Sequence, residues 1–203
     1  MRPTVLTHSI ENKLIPSIQF FQNYLSITEE RLCKVLSRYP QVFSVKVNKL
    51  VDKANFIKDA MGLDQWHEVS YVISMFPPVL WLSEDNLSKK VAFLKNEFQL
   101  DSEELTYIIL TYPQVLGLGV EQNLRPKLNF LLDIENGAGL TPNELKEFTL
   151  YQPALLAYSL DGRIRPRITL MKQHSITFAY SPPHLMSFSN SKFNEWLDTQ
   201  TST

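Results

Sequence analysis

Apolar residues along this chain recur in short runs at helical spacing, and the runs come in pairs. In the first of each pair, as in "NLRPKLNFLL" (123–132), Leu128, Leu131 and Leu132 fall on one side of a helix. The second run is typified by "ERLCKVLSRY" (30–39) and "ELTYIILTY" (104–112), each ended by a proline. No segment alternates with a convincing strand period, so the pattern predicts an all-α chain.

The pairs repeat. A Pro-x-Val/Leu-Leu/Phe element stands at Pro3, Pro40, Pro77, Pro113 and Pro153, with spacings of 37, 37, 36 and 40 residues. Sixteen or seventeen residues after each comes an apolar anchor: Phe20, Phe56, Phe93, Phe130 and Leu170. A fixed period near 37 residues is the mark of stacked helical hairpins, each too small to bury its own apolar face. The units run over 1–39, 40–76, 77–112, 113–152 and 153–182, with a cap at 183–203, and together form one repeat domain. The chain opens two residues before a "PTVL" and has no helix ahead of it, which predicts an N-terminally truncated array.

Local signals place the ends of the elements. Pro16, Pro126 and Pro166 suit the first position of a helix, where a missing N–H costs nothing. Thr141 to Glu144 reads as a capping box, and Thr28-Glu29-Glu30 and Ser102-Glu103-Glu104 put acids where the helix dipole favours them. The "PQVL" element between units is a turn or short 3₁₀ piece. The aromatics before each motif proline, Tyr39, Phe76, Tyr112 and Tyr151, predict packing between units.

Composition changes the picture only where charge is concerned. The net charge of −1 hides a segregation. The five windows 13–17, 49–53, 86–90, 123–127 and 163–167 hold 10 of the 20 basic residues and one acid, Asp52. Three residues before each anchor stand Ser17, Lys53, Lys90, Lys127 and Arg167, flanked by Lys49, Lys89, Arg125, Arg163 and Arg165. Cations at helix starts oppose the dipole, at about 0.3–1 kcal/mol each. Stacked repeats would turn them into a basic stripe. Helix N-termini beside Lys and Arg suit a polyanion with regularly spaced phosphates, so a nucleic-acid backbone is the expected partner. No apolar face accompanies the stripe, so a membrane surface is not expected.

Catalytic and cofactor chemistry find no support. Cys33 is the one cysteine, which excludes a disulfide framework or multi-cysteine zinc site. His8, His67, His174 and His184 lack metal-ligand spacing. Gly117-Leu118-Gly119 is half of a dinucleotide fingerprint with no strand before it. No catalytic residue, metal or cofactor is expected. The opening "MRPTVLTHSIENK" has no apolar signal core and does not read as a transit peptide.

The repeated "P-x-V/L-L … (N/K)-L-x-x-K-(V/L)-x-F-L", with the closing "PPHLMSFSNSKFNEWL", resembles the mitochondrial transcription termination factor (mTERF) family over residues 2–197. That resemblance implies a left-handed superhelical solenoid whose basic groove grips double-stranded DNA. It implies a home in mitochondria or chloroplasts and a role in terminating or regulating organellar transcription. Some members act on RNA, in splicing or ribosome biogenesis, so an RNA-binding or protein-docking solenoid is the alternative. The arginines gather in "GRIRPR" of the last full unit, the first unit has only Lys13, and five units are fewer than expected of a complete member.

Overall fold

The structure, a computed structural model, describes residues 9–178 and 183–201. The first Pro motif, at Pro3, lies outside the described residues. Those that are described form ten helices and no strand: α1 (10–24), α2 (Glu29–Arg38), α3 (Val47–Ala60), α4 (Trp66–Met75), α5 (Glu84–Glu97), α6 (Ser102–Thr111), α7 (120–132), α8 (Pro142–Tyr151), α9 (160–173) and α10 (Asn190–Thr201). A 3₁₀ turn opens at each motif proline: Pro40–Ser44, Pro77–Trp81, Pro113–Gly117, Pro153–Ala157 and Pro183–Ser187. The chain folds as two compact units, Met1–Val91 and Ala92–Thr203.

The prolines do not start their helices. In α1, α7 and α9 a π-type turn precedes them: Ile10–Leu14, Val120–Leu124 and Leu160–Ile164. There the amides of Leu124 and Arg125 reach back to the carbonyls of Gly119 and Val120. Pro126 has no N–H, and its ring crowds the carbonyl four residues back, so the wider turn accommodates it. The units with Asp52 and Lys89 in that place have unbroken helices, α3 and α5, of 14 residues each. The basic windows therefore sit in the second turn of longer helices, rather than at N-termini.

The second helices follow their capping signals. Thr28 accepts from the Arg31 amide, and Thr141 and Glu144 form a reciprocal box. The cap of α6 is Asp101, with Glu104 closing its box. Ser26, Gly62, Gln99, Gly139 and Ser175 have positive φ, in the turns between first and second helices. The 40-residue spacing comes from the loop after α7, where Asp133 accepts the amides of Glu135 and Asn136.

Each unit has its own core. In the first, Phe21, Leu25, Leu50, Ile57, Val72, Ile73 and Leu87 are buried, and Ser70 donates its hydroxyl to the Leu25 carbonyl. In the second, Leu94, Ile108, Leu116, Leu131, Leu156, Ile164 and Met171 are buried, and Phe148 stacks on Phe178 at 4.9 Å. The anchors are less uniform than their spacing predicts. Phe20, Phe93 and Phe130 are buried, Phe56 is half-buried, and Leu170 is 37% exposed. Tyr39 packs on Trp81 as expected of the motif aromatics, whereas Tyr151 faces solvent.

Candidate nucleic-acid interface

The recurring cation three residues before each anchor is buried. Lys53 is 8% exposed, Lys90 and Lys127 2%, and Arg167 4%. This corrects the expectation that these four line a phosphate-gripping stripe. They lie on the apolar faces of their helices: Leu124, Lys127, Leu128 and Leu131 share one stripe, as do Ile164, Arg167, Ile168 and Met171. Their alkyl stems pack in the core, worth about 0.8 kcal/mol per methylene.

The charged ends of Lys53, Lys127 and Arg167 close the following 3₁₀ turn. Lys53 donates to the carbonyl of Leu82, the residue after Pro77–Trp81. Lys127 donates to the carbonyl of Leu156, inside Pro153–Ala157, and to Asn123 Oδ1. Arg167 donates to the carbonyls of Leu185 (3.0 Å) and Phe188 (2.8 Å) and to Asn190 Oδ1 (3.0 Å). Lys90 donates to Asn86 Oδ1 at 3.3 Å. The end of a 3₁₀ turn leaves carbonyls unpaired and carries negative potential, so a buried cation meets both needs at once. A charge that opposes its own helix dipole thus serves another turn.

Burial disfavours the charged state throughout the set. Desolvation lowers the pKa of Lys53, partly countered by Glu84, and lowers that of Lys90. It brings Lys127 down to about 8. Arg167 is lowered first by desolvation and then by repulsion from Arg163.

The flanking cations other than Arg163 face outward. Lys49 is exposed, and Lys89 is exposed while paired with Asp85 at 2.7 Å. The arginines of the second unit repeat one arrangement. Arg125 pairs with Glu121 at 2.8 Å and Arg165 with Asp161 at 3.0 Å, each four residues back. Arg125 stacks over Phe93 at 4.9 Å and Arg165 over Phe130 at 4.5 Å, each on the preceding repeat's anchor. Carboxylate and ring together hold each guanidinium flat, with N–H groups left over for an outside acceptor. A second carboxylate, Glu97, also binds Arg125 at 3.2 Å, and its pKa is raised chiefly by Glu121 and then by Glu97. Arg163 is half-buried over Tyr158 and donates to the Met186 carbonyl at 3.2 Å.

Among the described residues no three His, Cys, Asp or Glu side chains come together to hold a metal, and no helix is long and apolar enough to cross a membrane. Cys33 is exposed on α2.

Helical repeats with a periodic set of clamped and outward-facing cations, among the described residues, define a helical-repeat protein. The sequence profile of the mTERF family matches residues 1–194, and the chain belongs to that family. It is 31% identical over 134 residues to the chloroplastic transcription termination factor MTERF8 of Arabidopsis thaliana, covering 66% of this chain and 26% of that protein. It is 24% identical over 161 residues to the human mitochondrial transcription termination factor 1, covering 76% of this chain and 40% of that protein. The maize chloroplastic transcription termination factor MTERF4 matches at 28% over 115 residues, 57% of this chain and 22% of that protein. The chain thus spans between about a fifth and two fifths of the length of these relatives.

Proposed function

We propose that this chain binds nucleic acid, double-stranded DNA foremost, by phosphate contacts, and acts in terminating or regulating organellar transcription. The carrying observation is the repeated arginine arrangement, Arg125 on Phe93 and Glu121, Arg165 on Phe130 and Asp161. Two guanidiniums in one geometry, in successive repeats, suit a ligand that carries repeated phosphates. Lys49 and Lys89 add outward charge, while Lys53, Lys127 and Arg167 act by holding the repeats in shape. The repeats stack as a left-handed superhelical solenoid, in keeping with the family. The names of the relatives, chloroplastic and mitochondrial transcription termination factors, support the organellar assignment.

The test is a binding titration of the full chain against duplex DNA, single-stranded RNA and structured RNA at two salt concentrations. Duplex binding that weakens steeply with salt is expected, since each phosphate neutralised contributes about 0.9 to the log–log slope. Preference for either RNA would replace the DNA reading. Weak, salt-independent binding to all three, with one protein recovered stoichiometrically by pull-down, would replace it with protein docking.

A further inference from the structure

The first repeat breaks the clamp pattern in a way that leaves its local positive charge unbalanced. Where Lys53 and Lys127 insert an ammonium, Ser17 inserts a hydroxyl that is fully buried and has no hydrogen-bond partner. Ser17 lines a cavity of about 450 Å³ between α1 and the start of α3, together with Asn12, Lys13, Lys46, Val47 and Asn48.

The equivalent cavity one repeat later shows what has changed. It is lined by Lys49, Asp52, Lys53, Ser83 and Glu84, so its cations are balanced by acids. There Ser83 caps α5, accepting from the Asn86 amide at 3.2 Å, and Glu84 and Asp85 occupy the first turn. In the first repeat Asp52 is replaced by Pro16, Ser83 by Lys46, Glu84 by Val47 and Asp85 by Asn48. The cavity is left with two lysines and no acid. The 14-residue α3 opens on it with no side-chain cap and no acid in its first turn. Free first-turn amides, a positive dipole end, two ammoniums and a buried hydroxyl with nothing to bind all ask for the same thing: an oxyanion.

We propose that this cavity is a phosphoryl-binding site, held by the Ser17 hydroxyl, the Lys13 and Lys46 ammoniums and the first amides of α3. The group it takes is a tetrahedral phosphate oxyanion, either free or as one phosphodiester of a polynucleotide. The site does not rest on the DNA reading above, because it needs one anion rather than a backbone.

The experiment is an amide-resolved NMR titration of the full chain with inorganic phosphate at constant ionic strength balanced by chloride, repeated with a short DNA duplex. Saturable shifts at the Val47, Asn48 and Lys49 amides are expected, with none at Asn86, whose amide Ser83 already caps. Lys46→Glu, on an exposed residue, should weaken phosphate binding at least tenfold, and Ser17→Ala by about fivefold. Saturation by phosphate assigns a free anion; saturation by duplex alone assigns a phosphodiester. Shifts that chloride reproduces, or both variants titrating like the wild type, would overturn the site. Duplex affinity through Arg125 and Arg165 would survive that outcome, so the two proposals fail separately.

Discussion

Lys127 and Leu156 are joined by a buried hydrogen bond, ammonium to main-chain carbonyl, across 29 residues of sequence. The bond ties α7 to the 3₁₀ turn that closes the following hairpin, and Lys53 and Leu82 repeat it in the first unit. The most regular cation in the sequence is thus a fastener between repeats. Its charge opposes its own helix dipole because its end is spent elsewhere.

Charge reversal therefore separates fold from binding. Lys127→Glu would bury a carboxylate against the Leu156 carbonyl and should cost about 3–5 kcal/mol. At about 2–4 °C per kcal/mol for a chain of this size, the melting temperature should fall by about 10 °C. Arg165→Glu, exposed on α9, should shift it by less than about 3 °C. Calorimetry of the two variants side by side checks the contrast.

The binding surface is expected at the stacked arginines. Arg125→Glu with Arg165→Glu should weaken duplex binding at low salt by at least tenfold and lower the salt slope by about 2. Fluorescence anisotropy at several salt concentrations measures both quantities. Unchanged affinity in a variant that still melts cooperatively would remove these residues from the interface.

Stability should rise with pH in a defined window. Lys127 has a folded pKa of about 8, below its ordinary value of 10.5, so the unfolded chain holds more protons between those limits. Its contribution is absent below pH 8 and grows as pH climbs towards 10.5, by about 1–3 kcal/mol. Burial raises the Tyr112 pKa, which subtracts stability above pH 10. Denaturant midpoints at pH 7.5 and 9.5 should show the gain, and Lys127→Met should flatten it.

Restoring the missing fastener should stabilise the first repeat. Ser17→Lys would place an ammonium where Lys53 and Lys127 hold theirs and replace a buried hydroxyl that has no partner. A rise of about 2–4 °C in melting temperature is expected. A fall would mean that the first junction differs from the others in more than its side chain.

The loop after α7 offers a backbone test. A Cβ on Gly137 would stand 1.8 Å from the Phe130 carbonyl oxygen, which already accepts the Ala138 amide at 3.0 Å. Gly137→Ala should therefore cost more than about 2 kcal/mol, read as a shift in denaturant midpoint.

The sequence by itself determined the helical repeat, its period, the 3₁₀ turns at the motif prolines and most of the caps. These depend on side chains acting within a few residues of themselves: a Pro that cannot donate, a Thr–Glu pair that can. The same pattern carries a further clue to burial. Each recurrent cation sits on the apolar stripe, as Lys127 does among Leu124, Leu128 and Leu131, whereas Arg125 and Arg165 lie off it. What only the tertiary structure decided is which cations face inward. An exposed lysine and a buried one look alike until the carbonyl that receives it is in place. For Lys127 that carbonyl lies 29 residues away. The acid-free cavity at Ser17 was hidden for the same reason, since its two walls come from helices that meet only when the first hairpins pack.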